Sequence, residues 1–153
     1  MKTLVKTLVG FGILGAAGAA SAQTAQTTFQ VLANVQATCS VSATNLDFGQ
    51  YDPFAATPKD GSSTLSVTCT NGTTYGVAVA TPTARSMAGP SGSTLAYGLY
   101  NDAARSAAFG VPANSATGIG TAQTINVYGR IPIAQTGARP GSYADTVTVT
   151  VSY

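Results

Sequence analysis

Thr64-Leu65-Ser66-Val67-Thr68-Cys69-Thr70-Asn71-Gly72-Thr73-Thr74-Tyr75-Gly76-Val77-Ala78-Val79-Ala80 is the stretch on which the fold turns. Leu65, Val67 and Cys69 alternate with Thr64, Ser66 and Thr68; Tyr75, Val77 and Val79 alternate with Gly76, Ala78 and Ala80. Apolar side chains at every second position turn one face of an extended strand toward a core. Asn71-Gly72 supplies the residues favoured in a tight turn with positive φ, so the pattern predicts a β-hairpin.

The same period runs outward in both directions. Leu95-Ala96-Tyr97-Gly98-Leu99 keeps its large residues on one parity, and Ile125, Val127, Gly129 and Ile131 continue the pattern as far as Pro132. Tyr143, Val147, Val149, Val151 and Tyr153 interleave with Ala144, Thr146, Thr148, Thr150 and Ser152. Loops rich in Gly, Pro, Ser and Ala are expected at 52–62, 81–93, 110–122 and 134–142, and Asp102-Ala103-Ala104-Arg105 is long enough for one turn only. Six or seven short strands predict an all-β domain, an immunoglobulin-like sandwich with Greek-key connections. A small barrel is the alternative.

Composition removes whole classes of chemistry. Of 153 residues only 8% are charged, and His, Glu and Trp are absent. Without histidine there is no Ser-His-Asp or Cys-His nucleophile and no histidine-bound zinc. The acids are five scattered Asp, so no catalytic, metal-ligating or cofactor-binding residue is nominated, and an enzyme is not expected. Asp47, Asp52 and Asp60 are too dispersed for a calcium loop. Gly118-Ile119-Gly120 lacks the glycines and following helix of a phosphate cradle. Asn71-Gly72-Thr73 matches the glycosylation pattern, but the turn accounts for it. Asp145 shares the parity of the valines around it and is expected to be a hydrogen-bonded structural carboxylate paired with Arg85 or Arg130. Tyr97, Tyr128, Tyr143 and Tyr153 are expected to pack within the sheets rather than form a ligand surface.

The amino terminus reads as an export signal. Lys2 and Lys6 precede the apolar run Leu8–Ala17, and Ala20-Ser21-Ala22 forms a small-residue cleavage site. A transmembrane anchor is the alternative, but the run is short and rich in glycine. Cleavage after Ala22 would leave a mature chain from Gln23 with five cationic residues (7 − 2) against five Asp. Such a chain has no basic surface for nucleic acid, and no stable membrane insertion is expected after signal cleavage. Export also decides how Cys39 and Cys69 read. Their spacing is not that of a redox pair, and a disulfide is expected. Closing a loop of about 30 residues stabilises by roughly 3–4 kcal/mol in the chain-entropy model.

Two anomalies remain. From Thr28 to Ala43 the odd positions read Phe29, Val31, Ala33, Val35, Ala37, Cys39, Val41 and Ala43, against even positions that are polar except Leu32. At about 3.4 Å per residue this strand would be roughly 50 Å long, more than a small sandwich buries. Cys39 ties the later part to the strand of Cys69, which leaves about 27–36 as surplus. Either the strand bends and switches sheets within its own domain, or it projects and completes a neighbour's sheet with Phe29, Val31, Ala33 and Val35. The second anomaly is Tyr143–Tyr153, the most strongly patterned strand, after which the sequence ends. Either it is central, or its edge bearing Val147, Val149, Val151 and Tyr153 lies open. A surplus strand and an open edge fit head to tail, and such a contact does not close.

These residues also resemble a known family, the spore coat U domain shared by subunits of archaic (Csu-type) chaperone–usher pili. The likeness rests on Cys39; Leu46-Asp47-Phe48-Gly49 with Tyr51; Ser66-Val67-Thr68-Cys69; Arg85 and Met87; Leu95-Ala96-Tyr97-Gly98-Leu99-Tyr100 with Asp102; and Tyr128-Gly129-Arg130-Ile131-Pro132. Its most specific piece is Gly141-Ser142-Tyr143-Ala144-Asp145-Thr146-Val147-Thr148-Val149. The resemblance implies an incomplete immunoglobulin-like fold lacking its last strand, with a disulfide at Cys39 and Cys69. It further implies a periplasmic chaperone that lends a strand, and an outer-membrane usher that exchanges it for the amino-terminal strand of the next subunit. The fibre would lie outside the cell and serve attachment and biofilm formation; some relatives form a spore or cell coat. A tip adhesin would be expected to carry a further binding domain, so a shaft subunit fits better. The organisation expected is 1–22 signal peptide, 23–37 donor strand segment and 38–153 β-sandwich domain. The competing reading is a monomeric exported binding module, against which the missing Trp argues where the ligand is a sugar.

Overall fold

A computed structural model of the chain describes residues 22–110 and 114–153. The signal peptide expected at 1–22 therefore lies almost wholly outside the described residues. Among those described there are eight strands, no α-helix and one 3-10 turn at Pro90–Gly92. The strands are β1 (Cys39–Ala43), β2 (Lys59–Cys69), β3 (Thr74–Val79), β4 (Arg85–Ala88), β5 (Thr94–Tyr100), β6 (Asn114–Thr117), β7 (Gln123–Ile131) and β8 (Val149–Ser152). They form two antiparallel sheets, ordered β1-β2-β7-β5-β4 and β6-β3-β8. The all-β sandwich expected from the period-two pattern is the fold observed.

Its core is the set of residues that the alternation turns inward. Leu65, Val67 and Cys69 of β2 and Val127 and Ile131 of β7 meet Tyr75, Val77 and Val79 of β3, with Leu95, Tyr97 and Leu99 of β5 and the loop residue Phe109. All twelve are buried. Burying a Val, Leu, Ile or Phe side chain stabilises by about 1.5–3 kcal/mol, so this row supplies the main driving force for closing the two sheets.

The expected hairpin at Asn71-Gly72 is not formed. β2 pairs with β1 and β7, whereas β3 pairs with β6 and β8. The turn instead carries the chain across from one sheet to the other. Gly72 does take positive φ (+82°), and its amide bonds to the Gly118 carbonyl at 2.9 Å while the Gly118 amide bonds to Thr73 at 2.7 Å. Alternation dictates which side chains face the core. A hairpin and a sheet-to-sheet arch satisfy it equally, and partners from distant sequence decided for the arch.

Three expected loops contain strand. β2 begins at Lys59, inside the expected loop 52–62, because Asp60 lies directly across from Arg130 on β7 and Gly61 across from Gly129. Arg130 grips the Asp60 carboxylate through Nε (2.7 Å) and Nη2 (2.9 Å), and Arg105 joins at 3.1 Å. β4 and β6 are four-residue strands too short and too polar to show a period. The single turn expected at Asp102–Arg105 is present, with the Arg105 amide on the Asp102 carbonyl at 3.0 Å.

Both terminal strands are shorter than their patterns. Of Thr28–Ala43 only Cys39–Ala43 enters a ladder. Residues 22–38 carry no regular structure. The sandwich lies within the unit 34–153, and residues 22–33 belong to a second unit. Tyr143–Tyr153 is not one strand. Ala144 forms an isolated bridge with Ala88 of β4, and only Val149–Ser152 pairs with β3. The chain changes sheet between 145 and 148, leaving one sheet's edge to join the other.

Candidate functional site

Gly61 and Gly129 face each other across β2 and β7, on the parity of the core residues. Their missing side chains leave a hollow that Leu46 and Phe48 fill. A Cβ on Gly129 would stand 2.7 Å from Phe48 Cζ and 2.9 Å from Leu46 Cδ1. Phe48 also meets Tyr97 edge to face, with centroids 6.0 Å apart. These contacts hold the segment 43–48 beside the end of β1. Across from it Tyr143 is fixed by its hydroxyl, which accepts from the Arg139 amide (2.7 Å) and lies 2.8 Å from Ser93 Oγ. Its ring leaves no room for a Cβ at Gly89, which would clash with the Tyr143 ring.

Between segments 43–48 and 143–149 lies a cleft of about 640 Å³. Its floor is apolar, formed by Leu65, Val79, Leu99, Phe109 and Val127. Phe109 is placed there by its amide bond to the Leu99 carbonyl (3.0 Å). The loop before it is tied down by Asp102, whose carboxylate accepts from the amides of Ser106 (3.0 Å) and Ala107 (2.9 Å). Those bonds, the Ala107 amide foremost, hold the Asp102 carboxyl below the usual range.

β1 ends the five-stranded sheet and β8 ends the three-stranded one, so each has a ladder on one side only. Of the acceptor-edge residues nominated from sequence, Val147 and Val149 line the cleft. Val151 is half-buried opposite Val77 on β3, and Tyr153 lies beyond β8 with 62% of its surface exposed. Of the donor residues, Phe29 (85% exposed), Val31 (83%) and Val35 (80%) are bare apolar side chains, and Ala33 is exposed as well. Phe109, Leu99 and Met87 also line the cleft but were not nominated from sequence. Met87 and Phe109 sit in segments without a readable period, and Leu99 reads simply as core.

Cys39 and Cys69 are directly paired residues of β1 and β2 and are joined by a disulfide with a 4.1 Å Cα separation. Thr70 continues the tie: its hydroxyl accepts from the Thr38 amide at 3.1 Å, and its own amide donates to the Thr38 carbonyl at 2.9 Å. Asp145 is paired with Arg85 (2.6 Å) and accepts the Tyr97 hydroxyl proton at 2.6 Å. Arg130, the alternative partner, belongs to Asp60. The cleft thus offers apolar floor and strand edge; of its two lining carboxylates, Asp145 is paired with Arg85, and Asp47 accepts the Gly49 amide at 2.7 Å.

The Spore Coat Protein U domain profile matches residues 25–150, nearly the whole chain. The chain belongs to the Spore Coat Protein U domain family. No curated protein matches it closely enough to count as a relative. Among solved structures, this Spore Coat Protein U domain is similar to a chain in the crystal structure of a CsuC–CsuE chaperone–tip adhesion subunit pre-assembly complex, from archaic chaperone–usher Csu pili of Acinetobacter baumannii. The two share 22% identity with a TM-score of 0.57, over 78% of this chain and 40% of that one. The Spore Coat Protein U domain here thus spans well under half of that longer chain, and at this identity the likeness is one of fold.

Proposed function

We propose that the chain is a structural subunit of an extracellular fibre of the archaic chaperone–usher type, polymerised by donation of its amino-terminal segment to the cleft of a neighbouring copy or sister subunit. The observation that carries this reading is an unpaired strand edge in one part of the chain and exposed, strand-patterned side chains in another. A cleft floored by apolar side chains lies beside the edge strands β1 and β8. A segment with strand alternation, Phe29, Val31, Ala33 and Val35, leaves those side chains exposed. Adding a strand to such an edge uses main-chain hydrogen bonds for affinity and alternate side chains for register.

The family and the fold of the solved neighbour support the rest of the pathway. Residues 1–22 are removed on export, a periplasmic chaperone lends a strand to the cleft, and an outer-membrane usher exchanges it for residues 23–37 of the next subunit. The fibre then lies on the cell surface and serves attachment and biofilm formation. The role is structural rather than enzymatic.

Thermal unfolding of three chains tests this: the mature chain, one lacking 23–36, and that truncation with 23–36 joined behind Tyr153 by a flexible linker. Burial of Phe29, Val31 and Val35 at about 1.5–3 kcal/mol each predicts that the joined chain melts at least roughly 10 °C above the truncation, as a monomer. A truncation already as stable as the joined chain would mean a complete sandwich, and a secreted binding module would replace the fibre reading.

A further inference from the structure

One section of the cleft wall is polar, and a single guanidinium organises it. Arg85, at the start of β4, bonds the Asp145 carboxylate through Nη2 (2.6 Å) and Nε (2.9 Å) and the Tyr97 hydroxyl through Nε (2.8 Å). It also donates to the Ala80 carbonyl through Nη1 and the Thr146 carbonyl through Nη2, both at 3.1 Å. Ala80 follows β3, Tyr97 lies in β5, and Asp145 and Thr146 begin the passage from one sheet to the other. One side chain therefore ties both sheets to the crossing segment, which a lysine with its single ammonium cannot do in this geometry.

Asp145 occupies a position where the alternation calls for an apolar residue. The side chains of Arg85 and Asp145 are only 12% and 22% exposed. A partly shielded ion pair of this kind adds little net stability, but it specifies position. Between the Ala144 bridge and β8 the crossing segment makes no ladder bonds. Beside it lies the apolar floor of the cleft, which Val147 of this segment lines.

The geometry points to Arg85, Asp145 and Tyr97 as positioning residues that hold residues 145–148 off the cleft floor, so that the edge of β8 is presented before any strand enters. This inference rests on the donor-strand reading and adds to it the device that keeps an empty acceptor from closing on itself. Once a donor strand is in place, its own ladder bonds hold β8 and the clamp becomes redundant. That redundancy separates positioning from plain structural support.

The test measures uptake of a fluorescent peptide of residues 23–37 by the mature chain carrying no change, Arg85→Met, Arg85→Lys or Asp145→Asn. The same changes are placed in a mature chain with a second copy of 23–37 joined behind Tyr153, whose melting is followed. If the open conformation drops to about a tenth of the population, uptake slows by about tenfold for Arg85→Met and Asp145→Asn, with Arg85→Lys between. The tailed variants should melt within a few degrees of the tailed parent. Unchanged uptake would overturn the inference, as would tailed variants that lose as much melting temperature as untailed ones. Asp145→Asn, close to isosteric, supplies both readouts if Arg85→Met does not fold. A parent chain that runs as a monomer by sizing chromatography and still takes up no peptide removes the donor-strand reading itself, and this inference with it.

Discussion

Asp145 stands among valines because Tyr97 and Arg85 both donate to its carboxylate there. Burial works against the carboxylate, but the Tyr97 hydroxyl and Arg85 outweigh it and hold its pKa below the usual range. Asp60 is held low chiefly by its hydrogen bond from Arg130, against burial and with help from the charge of Arg105. A carboxyl whose folded pKa is depressed contributes stability above its unfolded value and loses it as pH falls through the folded one. Unfolding free energy should therefore hold from neutral pH down to about 4 and then decline, since free Asp titrates near 3.9. Urea titrations between pH 2 and 7 check this, and Asp60→Asn should flatten the decline. Tyr97 behaves oppositely. Burial, then the neighbouring Asp145, pushes its phenol up to about 12, so its contribution falls as pH rises from about 10 toward that value, and Tyr97→Phe should reduce the alkaline slope. At Gly129 the constraint is space. A Cβ 2.7 Å from Phe48 predicts that Gly129→Ala costs about 1–3 kcal/mol in urea unfolding and displaces the 43–48 wall.

At the scale of elements, β1 is a five-residue strand at a sheet edge, held on one side by β2 and by the disulfide. Replacing Cys39 and Cys69 together with serine should cost about 2–5 kcal/mol while leaving the circular dichroism of the β-fold in place. The segment preceding β1 carries a different prediction. Val35→Asp would put an unpaired charge into an apolar cleft, so fibres seen by electron microscopy should disappear while the chaperone still co-purifies with the subunit. Normal fibres from that variant would remove the donor role. The elements also mark where sequence is a poor guide. β2, β3, β5 and β7 were legible because half-buried strands must alternate. β4 and β6 were not, since four residues such as Arg85–Ala88 or Asn114–Thr117 pair on backbone alone and need carry no pattern. The turn at Asn71-Gly72 is legible in the sequence but the sheet-to-sheet arch it makes is not, because a turn specifies its own dihedrals and not the strands it joins.

For the whole molecule, donor-strand exchange as proposed has a consequence in solution: a cleft on one copy filled by a segment of the next would make a contact that does not close on itself. The purified mature chain should therefore give a ladder of sizes by sizing chromatography rather than a discrete dimer, and the tailed chain should collapse to monomer. The amino-acid sequence by itself determined the all-β class, the inward-facing core residues, the cysteine pair and the exposed apolar alternation at 29–35. Each of these follows from local periodicity or composition, which a chain carries whatever its partners. Tertiary structure decided the rest: the arch at Asn71-Gly72, the extension of β2 to Lys59, the division of 143–153 between two sheets, and the choice of Arg85 over Arg130 as the partner of Asp145. The physical reason is common to all four. Each depends on which distant segment supplies the second half of a hydrogen bond or an ion pair, and no local pattern encodes that.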